Sequence, residues 1–191
     1  MTAHQADARQ RVVETAAEML AQHGLNATSI REMAKRAKAP LGSTYHHFPD
    51  GKQQVVVEAV EFAGAQVTAS LDHHLQAGAA AGIRGFLAMW RAILLRSDFR
   101  IGCPVLAVAV EEPMGESGEE ARKATARAFR QWEEKLAASL VAQGHDLAAA
   151  AGLATLVVAA VEGAIALCRA CRSIDPFDRI ADQMLRLLFR T

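Results

Sequence analysis

Hydrogen-bonding side chains are crowded into one short stretch, GSTYHHFPDGK, residues 42–52. A purely structural surface helix would alternate charged and apolar residues, whereas this segment crowds the hydrogen-bonding groups of Ser43, Tyr45, His46 and His47 together. Gly42 has no side chain, so another molecule can approach its backbone closely. Metal binding, proton transfer and contact with a large anion are the three kinds of chemistry that such residues can perform.

Metal binding by His46 and His47 is unfavourable, because neighbouring side chains on a helix diverge by about 100°. Helical ligand pairs lie three or four residues apart, as in H-E-x-x-H. Proton transfer would require a third group and a pocket, and Asp50 lies in an exposed Pro-Asp-Gly turn. We therefore expect no metal site, no catalytic residue and no cofactor. A polar surface helix without a partner remains an alternative.

Contact with an anion agrees with the local charge. The chain as a whole has 21 basic and 21 acidic residues and a net charge of zero. Residues 31–52, however, contain five Lys or Arg against two Asp or Glu, a local charge of +3. A local basic surface is what attraction to phosphate needs, so nucleic acid is a plausible partner despite the neutral total.

Short helices are expected to position this stretch. An apolar stripe over residues 8–23 predicts a first helix, which Gly24 can end. Thr28 or Ser29 can cap a second helix, and Pro40 cannot continue it but suits the first turn of a third. Two short helices joined by a turn predict a helix-turn-helix, in which the second of them enters a DNA groove.

The run TSIREMAKRAKAPLGSTYHHFPDGK, residues 28–52, resembles the DNA-binding signature of the TetR/AcrR family of transcriptional regulators. The extra residue before Lys52 and the later run SDFRIGCPVLAVAVEE, residues 97–112, resemble the LmrA/YxaF-type branch of that family. The resemblance implies a cytoplasmic homodimer that binds a palindromic double-stranded DNA operator. It also implies a repressor that a small-molecule effector releases.

The resemblance assigns DNA contacts by position. Thr28 or Ser29 corresponds to a hydroxyl that bonds phosphate, and Lys52 corresponds to a second phosphate contact. Tyr45 and His47 are expected to reach the DNA backbone. The residues expected to face the major groove are Gly42, Ser43, Tyr45 and His46.

Three residues depart from the family pattern. Lys38 replaces the turn glycine, so we expect backbone strain there. Leu41 replaces a frequent polar residue and offers an apolar surface to a thymine methyl group. Thr44 replaces an inward leucine, so we expect looser packing of the third helix.

Periodic apolar residues beyond residue 50 predict six further helices. We therefore expect an all-α chain of about nine helices in two domains. Residues 1–50 form the predicted DNA-binding helix-turn-helix domain, and residues 51–191 the predicted ligand-binding and dimerisation domain. The alanine-rich segment 147–168 is long enough to cross a bilayer. Since Glu162 interrupts it, we predict a helix buried on most sides in a soluble protein.

The effector site is expected between the fourth and eighth helices, as the resemblance implies. Its apolar and aromatic character predicts a mostly hydrophobic or aromatic effector, although ordinary core explains each single residue better. The candidate lining residues are Phe62, Gln66, Phe86, Met89, Trp90, Leu106, Val110 and Trp132. Glu111 and Glu112 are candidate contacts for a cationic group, or simply an exposed acidic helix end; Glu112 lies outside the residues that the structure describes.

The last two helices are the predicted dimer interface, because the eighth offers small residues on most sides and the ninth an apolar stripe. Cys103, Cys168 and Cys171 form no disulfide framework, and either buried thiols or a redox role would explain them. The polar amino terminus has no apolar signal, which predicts an intracellular protein. The rival function is a helical small-molecule-binding protein or enzyme that has lost DNA binding.

Overall fold

The computed structural model describes the backbone of residues 3–111 and 118–189, with side chains from residue 7 onwards. Within these ranges the chain is all-α, as predicted, and contains nine helices. Their bounds are α1 Ala3–His23, α2 Ile30–Arg36, α3 Leu41–His47, α4 Lys52–Leu75, α5 Ala79–Arg96, α6 Pro104–Ala109, α7 Gly118–Ala142, α8 Leu147–Cys171 and α9 Asp175–Leu188.

Local chemistry explains the helix ends. Gly24 adopts a φ of +80° after α1, where a residue with a Cβ would be strained. The Ser29 hydroxyl accepts a hydrogen bond from the Glu32 amide at 3.2 Å, so the predicted cap of α2 is confirmed. Asp146 caps α8 by accepting from the amides of Ala148 and Ala149. Each cap satisfies backbone donors that the helix itself leaves unpaired.

The helices pack into two compact units. The first contains the residues up to 65 together with 104–128, and the second contains 66–103 together with residues from 129 onwards. The division therefore falls within α4 and again within α7, whereas the sequence predicted a domain boundary near residue 50. A packing unit is defined by contacts, whereas a domain is a part of the chain that can fold on its own. The boundary near residue 50 therefore stays a prediction.

A dense core in the first unit supports the helix-turn-helix. Helix α1 packs against α2, α3 and α6. The fully buried large side chains of this core are Val12, Met19, Leu20, Met33 and Phe48. Arg9 lies over the Phe48 ring, 4.9 Å from its centroid, and its guanidinium pairs with Glu58 at 2.6 Å. These contacts fix the segment that follows α3.

The expected strain at Lys38 is present in the turn between α2 and α3. Lys38 has a φ of +52°, in the left-handed region that glycine adopts without cost. Its amide donates to the Lys35 carbonyl at 3.1 Å, and the Ala39 amide donates to Ala34 at 2.9 Å. The hydrogen bonds of the turn thus hold a non-glycine residue in a conformation that suits glycine.

Lys38→Gly should therefore raise the free energy of unfolding by about 1 kcal/mol, since it relieves the left-handed Cβ without removing a buried contact. Chemical denaturation with urea measures the change. Lys38→Ala is the matched control, because it removes the same charge but keeps the Cβ. Equal stability of the two variants would show that the backbone at Lys38 is not strained.

The second unit places α8 against both α5 and α9. Phe177, Met184 and Leu188 of α9 are buried within the chain itself, so most of the α9 stripe predicted for a partner belongs to this core. Helix α8 differs from its prediction. Only 39% of its most apolar window is buried inside the chain, although its mean hydropathy and length would suffice to cross a membrane. Much of this apolar helix thus lies on the surface of the unit.

Candidate nucleic-acid interface

Helices α2 and α3 present one buried and one exposed face. Ile30, Met33 and Ala34 of α2 are buried. In α3 the inward residue is Thr44, which is buried and donates its hydroxyl to the Pro40 carbonyl at 3.0 Å. The bond satisfies the polar group that replaces the expected leucine, while the missing methyl groups leave less apolar contact than leucine would make.

The outward face of α3 contains several predicted major-groove residues. Gly42 and His46 are exposed, and Tyr45 is 49% exposed. A Cβ built on Gly42 would meet no other atom within 4 Å, so the glycine leaves open space at the surface. Ser43 and Leu41 are half-buried on the flanks of this face. Tyr45, His46 and Gly42 thus form a surface that a duplex can approach.

His47 occupies a different environment from His46. Its side chain is half-buried, and its Nε2 atom is buried without a hydrogen-bond partner among the described residues. The two histidine rings lie 5.7 Å apart at a tilt of 59°. Because Nε2 is buried, the expected contact of His47 with the DNA backbone would have to come from its other ring nitrogen, Nδ1.

The two hydroxyls before α2 also differ. Thr28 is buried, and its hydroxyl donates to the Leu25 carbonyl at 2.7 Å. Ser29 is exposed at the N-terminus of α2, where unpaired amides attract anions. Of the two alternatives left by the sequence, Ser29 is the one whose position suits a phosphate.

Lys52, the first residue of α4, is held by the first unit itself. Its Nζ donates to the Leu25 carbonyl at 2.7 Å. Partial burial lowers the pKa of Lys52, and attraction to Glu111 opposes this effect. An ammonium group has three donors, so the bond to Leu25 is compatible with the predicted phosphate contact.

Basic residues on α2 extend the exposed surface. Arg31 and Lys35 are exposed, as is Lys38 in the following turn. Arg36 pairs with Glu32 of the same helix at 3.0 Å, which partly neutralises it. Sequence reasoning counted these side chains as local charge without assigning them contacts. The charge of this surface suits the phosphate backbone of nucleic acid.

Two family models match the chain over these regions. Residues 12–59 match the model for bacterial regulatory proteins of the tetR family, and residues 79–183 match the model for the LmrA/YxaF-like transcriptional regulator C-terminal domain. An uncharacterized HTH-type transcriptional regulator of Mycobacterium tuberculosis, Rv0196, is 36% identical over 183 residues, which cover 94% of this chain and 93% of that protein. The chain belongs to the TetR family of transcriptional regulators.

Other relatives agree with this membership of the TetR family and of its LmrA/YxaF-like branch. The HTH-type regulator LmrA of Bacillus subtilis is 27% identical over 186 residues, covering 96% of this chain and 98% of that one. A crystal structure of a TetR regulatory protein from Rhodobacter sphaeroides superposes with a TM-score of 0.83 at 25% identity, covering 94% and 97% of the two chains. This TetR-family regulator therefore binds DNA, and the relatives named here are regulators and not enzymes.

The predicted effector residues of the regulator fall into both packing units. Phe62, Leu106 and Val110 belong to the first unit, where Val110 is 71% exposed. The remaining candidates, Gln66, Phe86, Met89, Trp90 and Trp132, belong to the second unit. Of these five, Phe86, Trp90 and Trp132 are buried, whereas Gln66 is exposed. Phe86, Trp90 and Trp132 are thus the predicted effector residues that are both buried and in the same unit.

Glu162 is a functional candidate that sequence reasoning did not place in the effector site. It is buried in α8, burial raises its pKa to about 7, and a hydrogen bond with Cys103 partly opposes that rise. Its Oε2 atom and the Trp90 Nε1 atom are both buried without a hydrogen-bond partner among the described residues. The signal was present in the sequence as a single acid within a long apolar run.

Metal and redox chemistry find little support among the described residues. Over 3–111 and 118–189, no group of three or more His, Cys, Asp or Glu side chains could hold a metal ion. Cys103 and Cys168 are buried and Cys171 is exposed, and none of them forms a disulfide. Burial raises the pKa of the Cys168 thiol, which disfavours its reactive thiolate. A redox role for these cysteines stays a hypothesis.

Proposed function

We propose that this regulator is a repressor that binds a palindromic operator as a homodimer and is released by a small, mostly apolar or aromatic effector. The exposed face of α3 is the observation that carries the proposal. Tyr45 and His46 are exposed there beside an unobstructed Gly42, while Thr44 and Phe48 attach the same helix to the core. A rigid helix with hydrogen-bonding groups on its outer side suits a major groove. DNA binding would place the regulator in the cytoplasm.

Homodimerisation is supported by an apolar groove on α8 and α9. The groove has a volume of about 430 Å³, and its lining residues are Leu156, Ala160, Leu167, Pro176, Arg179, Ile180, Gln183, Met184 and Leu187. Leu156, Leu167 and Leu187 are large apolar side chains left exposed. A second copy of the same two helices would cover this surface in a four-helix interface. Two recognition helices would then read the two halves of a palindrome.

The proposed effector site lies in the second unit. The buried aromatic side chains Phe86, Trp90 and Trp132 supply an apolar environment, and Trp132 meets Phe129 edge to face at 5.2 Å. The Trp90 indole and the Glu162 carboxyl each contain a buried atom without a partner. Since unsatisfied buried groups cost free energy, these two atoms are suited to bind the few polar groups of an effector.

A gel-shift titration tests the DNA-binding part of this proposal, using the DNA directly upstream of the protein's own reading frame. Tyr45→Ala should weaken binding by about ten-fold and reduce the preference for this DNA over an unrelated duplex, because it removes a base-reading side chain. Leu95→Ala, which truncates a similarly exposed side chain on α5 of the second unit, is the control. Unchanged affinity and preference in Tyr45→Ala would contradict the assignment of α3 as the recognition helix.

A further inference from the structure

Glu111 holds the turn that leads into the helix-turn-helix. Its Oε1 atom accepts a hydrogen bond from the Leu25 amide at 2.9 Å, and its Oε2 atom accepts one from the Asn26 amide at 2.8 Å. Glu111 is the second residue after the short helix α6, whereas Leu25 and Asn26 lie in the turn between α1 and α2. One carboxylate thus binds two successive amides from a position 85 residues further along the chain.

Gly24 provides the space for this contact. A Cβ built on Gly24 would overlap the Oε1 atom of Glu111, so a side chain here would displace the carboxylate. The same glycine adopts a φ of +80°, which an alanine would adopt only with strain. Glycine at position 24 therefore serves two purposes. It adopts the left-handed backbone that ends α1, and it leaves room for the Glu111 carboxylate.

The Leu25 carbonyl also accepts hydrogen bonds, from two side chains. Its oxygen accepts from the Lys52 ammonium at 2.7 Å and from the Thr28 hydroxyl at 2.7 Å. Glu111 also attracts Lys52 electrostatically across this peptide. Leu25 thus links three parts of the first unit, namely the segment after α6, the turn before α2 and the first residue of α4.

We propose that Glu111 is a positioning residue for DNA binding, which fixes the turn before α2 and, through Leu25, holds Lys52 where it meets a DNA phosphate. The Lys52 ammonium donates to the Leu25 carbonyl, and Glu111 accepts from the Asn26 amide of the same peptide bond. Loss of the carboxylate would therefore release both the turn and the Lys52 side chain. Phosphate contacts set the register of a protein on its duplex, and misplacement of one lowers affinity for all sequences. The proposal rests on the predicted phosphate contact of Lys52.

Glu111→Gln and Glu111→Ala form a graded test. The glutamine keeps one acceptor oxygen and can bind one of the two amides, whereas the alanine can bind neither. We expect a few-fold loss of affinity for the upstream DNA in the first variant and on the order of ten-fold in the second. Glu18→Gln, at an exposed position on α1, is the matched control. Hydrogen exchange at the Leu25 and Asn26 amides should accelerate in the same order.

Salt dependence distinguishes positioning from a general loss of stability. In the wild type, Lys52→Met should lower the slope of log affinity against log salt by about one per protomer, because one phosphate contact is lost. Glu111→Ala should lower the slope by a similar amount. The double variant should then show no further decrease, since both changes remove the same contact. Thermal melts establish that each variant is folded at the temperature of the assay.

The outcomes separate the inference from the function on which it rests. If folded Glu111→Ala keeps the wild-type slope while Lys52→Met lowers it, Glu111 does not position Lys52 and the inference is wrong. Additive slope changes in the double variant would lead to the same conclusion. If Lys52→Met itself leaves the slope unchanged, the phosphate contact is absent and the basis of the inference fails. If the wild type binds no duplex, the DNA-binding function fails instead.

Discussion

Leu187→Arg should convert the proposed homodimer into a folded monomer and weaken its binding to the proposed palindromic operator by about 10² to 10⁴-fold. Leu187 lines the groove on α8 and α9 and is 49% exposed. The arginine would therefore place a charge in the proposed interface while disturbing little of the core. Operator affinity falls because two half-site contacts on one molecule bind far more tightly than either alone.

Light scattering coupled to size-exclusion chromatography measures the molecular mass in this experiment, and a gel shift measures the operator affinity. Leu147→Arg is the matched control, because Leu147 is 78% exposed at the start of α8 and does not line the groove. The control should remain dimeric with wild-type affinity. A Leu187→Arg protein that keeps the dimeric mass, or a wild type that is monomeric at micromolar concentration, would contradict the proposed interface.

Glu162→Gln should stabilise the regulator by roughly 3 kcal/mol at pH 8 and by less than about 1 kcal/mol at pH 5. Burial raises the pKa of Glu162 from 4.5 to about 7 in the folded chain. The folded state therefore keeps this proton more tightly than the unfolded state does. As the pH rises from 4.5 to about 7, the unfolded chain loses the proton first, and the free energy of unfolding falls.

Above about pH 7 the folded state also ionises, and the loss of stability levels off. Glutamine cannot ionise, so its curve should lack this decline. Denaturation with urea at several pH values measures the difference between the two proteins. Glu134→Gln, at an exposed position on α7, should instead run parallel to the wild type. Parallel curves for Glu162→Gln would show that the buried carboxyl does not titrate in this range.

The periodic spacing of apolar residues, together with the residues that begin and end helices, predicted most of the fold. Gly24, Ser29 and Pro40 mark the limits of α1, α2 and α3, because each has a backbone or capping property that acts within a few residues. The exposed face of α3 was equally predictable, since Gly42 and Tyr45 lie in a single short run; its contact with DNA stays a prediction. Such features depend on a few neighbouring residues, so they can be predicted from a single sequence.

Contacts between distant segments were not predictable in the same way. The hydrogen bonds from Leu25 and Asn26 to Glu111 join residues about 85 positions apart, and no local pattern indicates them. For the same reason Thr28 looked as suitable for phosphate as Ser29, although its hydroxyl binds the Leu25 carbonyl. Glu111 was interpreted as a contact for a cation or an exposed acid, and it is instead an acceptor for backbone amides.

The incompletely covered surface of α8 has a consequence for the abundance of active regulator. If α8 and α9 form the proposed dimer interface, a newly made subunit exposes this apolar strip until it meets another, and exposed strips of this kind favour aggregation and degradation. The amount of working dimer should then depend on the square of subunit concentration when subunits are scarce. A gene under the control of such a protein would respond more steeply to small changes in its synthesis than a monomeric regulator would allow.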